Sequence, residues 1–94
     1  INKMTNSGEL IAINGVVIIN DTVEKVLNSD SYYVAEDTVI ARIEVNGDTA
    51  TDVLASYITV PATGVKAGVL ITPQRGDYFS AITLTSGSVV AILK

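Results

Sequence analysis

The chain contains no histidine, cysteine or tryptophan, and only two prolines, one methionine and one phenylalanine. Without cysteine there are no disulfides and no thiolate nucleophile, and without histidine the usual general base and the commonest zinc ligand are missing. A non-enzymatic protein is therefore expected, with no cofactor and no metal. Basic residues are also few. Lys3, Lys25, Arg42, Lys66, Arg75 and Lys94 are scattered against ten acidic side chains, for a net charge of −4. No cluster among them is suited to neutralising phosphates, so no nucleic-acid partner is expected. No apolar run approaches the roughly 20 residues that a membrane-spanning helix needs, so no membrane partner is expected either. Ile1-Asn2-Lys3 precede Met4, which makes Met4 a candidate natural start.

What the chain does contain is β-branched side chain. It has 13 Val, 11 Ile and 10 Thr in 94 residues. These residues are stiff at χ1 and fit a pleated, half-buried surface. Apolar residues make up 48 % of the chain and the mean hydropathy is +0.42. A chain this short buries only about 60–65 % of its unfolded surface. So much apolar character in so small a core points to burial against a partner, and self-association is expected.

Turn signals recur at short intervals: Asn14-Gly15, Asn20-Asp21, Asn28-Ser29-Asp30, Asn46-Gly47-Asp48, Thr63-Gly64, Arg75-Gly76-Asp77 and Ser86-Gly87. Runs of four to nine β-favouring residues lie between them, the pattern of a sandwich or barrel. The fold expected is a single all-β domain over residues 1–94. It would be a compact antiparallel β-sandwich or jelly-roll-like barrel with at most one short helical turn.

Asn14-Gly15 predicts a hairpin between residues 10–13 and 16–19. Residues 38–46 predict a strand with Val39, Ala41, Ile43 and Val45 on one face, Ile40 being the apolar exception on the polar face. Residues 57–60 predict a strand stopped by Pro61, and 69–71 another ended by Pro73. Residues 78–85 predict a strand with Ile82 and Leu84 on one face and Thr83 and Thr85 on the other, followed at Ser86-Gly87 by a C-terminal hairpin into 88–93. The helical turn is expected over 22–27, capped by Asp21.

Three clusters invite a chemical reading. Adjacent strand residues point to opposite faces, so Glu36-Asp37 cannot form a paired-carboxylate dyad and reads as a solvated turn. Asp48 and Asp52 lack the alternating acidic pattern of a calcium loop, so a polar loop is expected there. Arg75-Gly76-Asp77 is a tripeptide that many integrins recognise, yet Gly followed by Asp is also sufficient for a turn. Tyr32, Tyr33, Tyr57 and Tyr78 supply an alternative, a carbohydrate-binding or adhesion module with tyrosine platforms.

The segments YYVAEDTVIARIEVN (residues 32–46), GVKAGVLITP (64–73) and FSAITLTSGSVVAILK (79–94) resemble small β-rich virion proteins of tailed bacteriophages. That resemblance implies a capsid-decorating, head-fibre or tail-associated protein located in the virion. Such a protein is often a homotrimer and binds major capsid or tail proteins; the family offers no active-site residues. Ile40, Arg42, Tyr57, Ile82, Leu84, Val90 and Ile92 are the candidate interface residues, on the outer faces of strands 38–46 and 82–92.

Overall fold

A computed structural model describes residues 15–59 and 63–94. Six strands and one helical turn follow in the order β1 (Val16–Ile19), β2 (Lys25–Val34), β3 (Val39–Val45), α1 (Leu54–Tyr57), β4 (Leu70–Ile71), β5 (Phe79–Ser86) and β6 (Val89–Leu93). The six strands belong to one antiparallel sheet of order β1-β6-β2-β5-β3, with β4 also paired to β2. The expected all-β class is the observed one.

β2 is the long central strand. Its first half, from Lys25 to Ser29, pairs with β5, while its second half, from Ser29 to Val34, pairs with β6 on the opposite edge. β4 pairs with Tyr32 and Tyr33 on the β5 side, so β4 and β5 follow each other along one edge of β2. The Asn28-Ser29-Asp30 signal is not a turn between strands. It is the place where β2 loses register with both neighbours, an irregularity that adds local bend and twist.

The C-terminal hairpin does not form, because β2 lies between β5 and β6. On a flat sheet, the end of β5 and the start of β6 would lie about 40 Å apart, at opposite ends of β2. Gly87 and Ser88, which connect them, span about 10 Å. The sheet therefore folds over at β2 into two layers, β3-β5-β2 and β1-β6-β2-β4, and Gly87-Ser88 crosses between them.

Thr38 pins that crossover. Its hydroxyl donates to Glu36 O (2.7 Å) and accepts from Ser88 N–H (3.0 Å). Its backbone exchanges two hydrogen bonds with Val65 (2.8 and 2.7 Å). Gly87, at φ +90°, leaves room for this packing: a Cβ there would sit 2.3 Å from Thr38 Oγ1 and 2.6 Å from Thr38 Cα.

The core lies inside the fold-over. Cross-strand rows fill it: Ile19–Val89–Val34, then Val17–Ala91–Tyr32–Ile71, with Ile43–Ile82 and Ile40–Leu84 from the other layer. Phe79 is the central ring, stacked on Tyr32 (centroids 4.5 Å) and edge-on to Tyr57 (5.3 Å).

Several local expectations are corrected. Ile40 is not on an outer polar face. Ala41 is an extra residue in β3 opposite β5, and this breaks the alternation so that Ile40 and Ile43 both point inward. Residues 22–27 are not helical: Asp21 Oδ1 accepts the Val23 N–H (3.1 Å) in a local turn, and Lys25 opens β2. The helical turn is instead Leu54–Tyr57, where a strand was expected from Tyr57. Asp52 Oδ1 accepts the Leu54 N–H (2.9 Å) and starts it, and buried Leu54 anchors it. Pro61 and residues 10–13, half of the expected first hairpin, lie outside the described residues.

Candidate functional site

The two layers present two different outer faces. On the β1-β6-β2-β4 layer, Ile18 pairs with Val90, Val90 with Tyr33, and Tyr33 with Leu70. Directly paired residues share a face, so these four side chains form one row across four strands. Ile18 is 67 % exposed, Tyr33 39 % and Leu70 47 %. Val16, also exposed, lies beside the row. Ser31 and Ile92, paired with each other beside the row, are uncharged and buried.

On the β3-β5-β2 layer the corresponding row is Val26–Ala81–Glu44. Beside this row opens a cleft of about 310 Å³ lined by Glu24, Val26, Asn28, Glu44, Gly47, Thr49 and Ser80. Glu44 is buried, and its Oε2 accepts from Arg42 Nε at 2.7 Å. A second Arg42 nitrogen donates to Thr49 O at 3.0 Å. Glu44 holds the guanidinium pKa above its ordinary value, chiefly through that hydrogen bond. Ser80 is an extra residue in β5 at a break in register with β3. The residue lines the cleft, while its hydroxyl is buried and has no hydrogen-bond partner among the described residues.

The seven candidate interface residues do not form one surface. Ile40, Ile82 and Leu84 are each at most 3 % exposed and Ile92 is buried, so they have almost no surface left to give a partner. Arg42 is committed to Glu44 and Thr49. Tyr57 packs on Phe79, and its hydroxyl accepts the Gln74 N–H (2.9 Å). Only Val90 stands in the open apolar row. Ile18, Tyr33 and Leu70 were missed as contact residues because the row exists only through strand pairing, which joins positions 18, 33, 70 and 90.

The tyrosines are likewise divided. Tyr32 is buried and burial pushes its phenol well above the ordinary range; Ser29 opposes that shift without reaching hydrogen-bond geometry. Tyr78 lies under Lys94, with the ammonium 5.6 Å from the ring centre. No joint sugar platform results.

The other clusters have structural employment. Asp37 accepts from Ala67 N–H (3.0 Å) and Lys66 Nζ (3.2 Å), and these contacts, the backbone one first, hold its carboxyl below the usual range. Glu36 accepts from Ser88 Oγ (3.0 Å). Asp48 accepts the Ala50 N–H (3.0 Å) within its own loop. In Arg75-Gly76-Asp77, a turn closes from Asp77 N–H to Gln74 O (2.9 Å), and Asn46 Nδ2 donates to the Asp77 carboxylate (2.9 Å). No group of three or more acidic side chains suited to a metal ion occurs among the described residues. No helix among them is long and apolar enough to cross a membrane.

No protein-family model matches this chain. Neither a curated protein nor a solved structure matches it significantly.

Proposed function

We propose that this protein is a non-enzymatic structural component that works by self-association through the outer face of β1, β6, β2 and β4. The observation that carries this reading is the open row Ile18–Val90–Tyr33–Leu70, continuous across four strands. Apolar surface of that extent gains free energy when covered, at about 25 cal/mol per Å². A second copy is the occupant favoured by charge. Each copy carries −4, yet the row itself holds no Asp, Glu, Lys or Arg, so copies would meet there through uncharged side chains. The setting we infer is a tailed-phage particle, in which a homotrimer attaches to capsid or tail proteins; this part rests on the sequence resemblance.

Sedimentation velocity at micromolar concentration tests the reading. The native chain should sediment as an oligomer, and the Tyr33→Lys, Leu70→Lys double variant as a folded monomer with unchanged far-ultraviolet circular dichroism. A native chain that stays monomeric and ignores purified phage capsids would refute the proposal.

A further inference from the structure

The turn that follows β3 carries an independent inference. We propose that Asn46–Gly47 is a site of spontaneous deamidation, gated by a clamp from Asp77 and Tyr78, and that conversion there unlatches the Arg75-Gly76-Asp77 turn from the end of β3.

Nucleophile and electrophile are neighbours in the chain. Asn46 and Gly47 both have positive φ, +57° and +75°, and the Asp48 N–H donates to Val45 O (3.0 Å), the pattern of a type I′ turn. Both residues are exposed. The Gly47 N–H makes no hydrogen bond among the described residues, and glycine has no side chain to hinder attack by its nitrogen. Asn20 and Asn28, the other asparagines among the described residues, are followed by Asp21 and Ser29, which do. In the reaction the Gly47 nitrogen attacks Asn46 Cγ. The N–Cγ bond forms, the Cγ–Nδ2 bond breaks, and ammonia leaves with the proton of the Gly47 amide. Water then opens the cyclic imide at either carbonyl and leaves an aspartyl or an isoaspartyl residue.

The Asn46 carboxamide is held at both ends. Its Nδ2 donates to Asp77 Oδ1 (2.9 Å), and its Oδ1 accepts the Tyr78 N–H (3.1 Å). The Asn46 N–H donates to Tyr78 O beside them (2.9 Å). Attack requires the carboxamide to swing onto its own backbone, so both side-chain bonds must open first. The clamp thus sets the rate through the population of the opened turn. It also sets the consequence. Either product replaces the amide donor with a carboxylate, and two carboxylates then face each other where a hydrogen bond stood. The isoaspartyl product also adds a methylene to the backbone of the turn.

The test is peptide mapping of the full chain by mass spectrometry after incubation at mildly alkaline pH. Asn14–Gly15 serves as the reference with the same dipeptide. Asn46 should convert about tenfold more slowly in the folded chain than in guanidinium-unfolded chain. Asp77→Ala should speed conversion at Asn46 about fivefold and leave Asn14 unchanged. Asn46→Asp reproduces the aspartyl product and should lower the thermal midpoint. The Asn46→Asp, Asp77→Asn double variant should recover most of that loss, because the exchange again sets an amide donor against a carboxylate. Absence of conversion even in the unfolded chain, equal rates folded and unfolded, or equal acceleration of Asn14 by Asp77→Ala would overturn the proposal. So would a double variant no more stable than Asn46→Asp alone. None of these readings involves the apolar row, so their failure would leave self-association standing.

Discussion

The outsides of the two layers are built from the same kind of pairing and end with opposite chemistry. Across β1, β6, β2 and β4 the row Ile18–Val90–Tyr33–Leu70 is apolar and proud of the sheet. Across β2, β5 and β3 the row Val26–Ala81–Glu44 has a buried alanine at its middle and is acidic at its end. One detail contributes to the difference: the extra residue Ser80 interrupts the alternation of β5 opposite β3. One face is an apolar row and the other carries a buried carboxylate paired with Arg42. β2 serves both, presenting Tyr33 to the first and Val26 to the second.

The sharpest way to break this contrast is to remove what the layers share. Phe79→Ala deletes the ring that stacks on Tyr32 and meets Tyr57, and should cost about 4 kcal/mol. In urea denaturation both faces should be lost in one transition; two separate transitions would show that the layers have independent cores. Gly87→Ala attacks the crossover instead. The new Cβ would meet Thr38 backbone in a left-handed conformation, and a loss of about 3 kcal/mol is expected from strain and overpacking together.

Tyr32→Phe sharpens the comparison from inside, because it keeps the ring and deletes a hydroxyl that has no partner. Stability at neutral pH should rise by about 1 kcal/mol. The native phenol is raised in the folded state, so its contribution is intact below the unfolded value of about 10 and declines as pH rises above it. Chemical denaturation between about pH 9 and 11 should show a shallower alkaline loss in the variant.

The smallest effect is expected at the exposed end of the molecule. Asp37 is depressed by the Ala67 N–H and by Lys66, so its stabilisation is present above about pH 4 and disappears as pH falls through the lower folded value. Asp37→Asn should slightly lower the thermal midpoint at pH 7 and flatten its acid dependence. It should leave self-association unchanged, as read by sedimentation.

Much of this architecture was legible in the residues. Val69-Leu70-Ile71, the Ile82/Leu84 face and the strand starting at Val16 could be read locally, because β-branching, alternation and glycine turns are short-range signals. The errors share one origin. Ile40 was placed on the wrong face because a one-residue bulge at Ala41 is invisible without the partner strand. The hairpin expected at Ser86-Gly87 required its two strands to be neighbours, whereas β2 comes between them. Tyr57 was read as strand because aromatic and β-branched neighbours favour extension, while Asp52 and the burial of Leu54 favour a helical turn.

The amino-acid sequence by itself determined the class of molecule: an acidic, β-branched, all-β chain that is 48 % apolar and has neither histidine nor cysteine. Tertiary structure alone decided where the exposed apolar surface lies, because pairing joins residues 18, 90, 33 and 70 into a row and two extra residues, Ala41 and Ser80, reset which side chains face in. Side-chain direction along a strand has a period of two, so a shift of one residue is enough to exchange the inside for the outside.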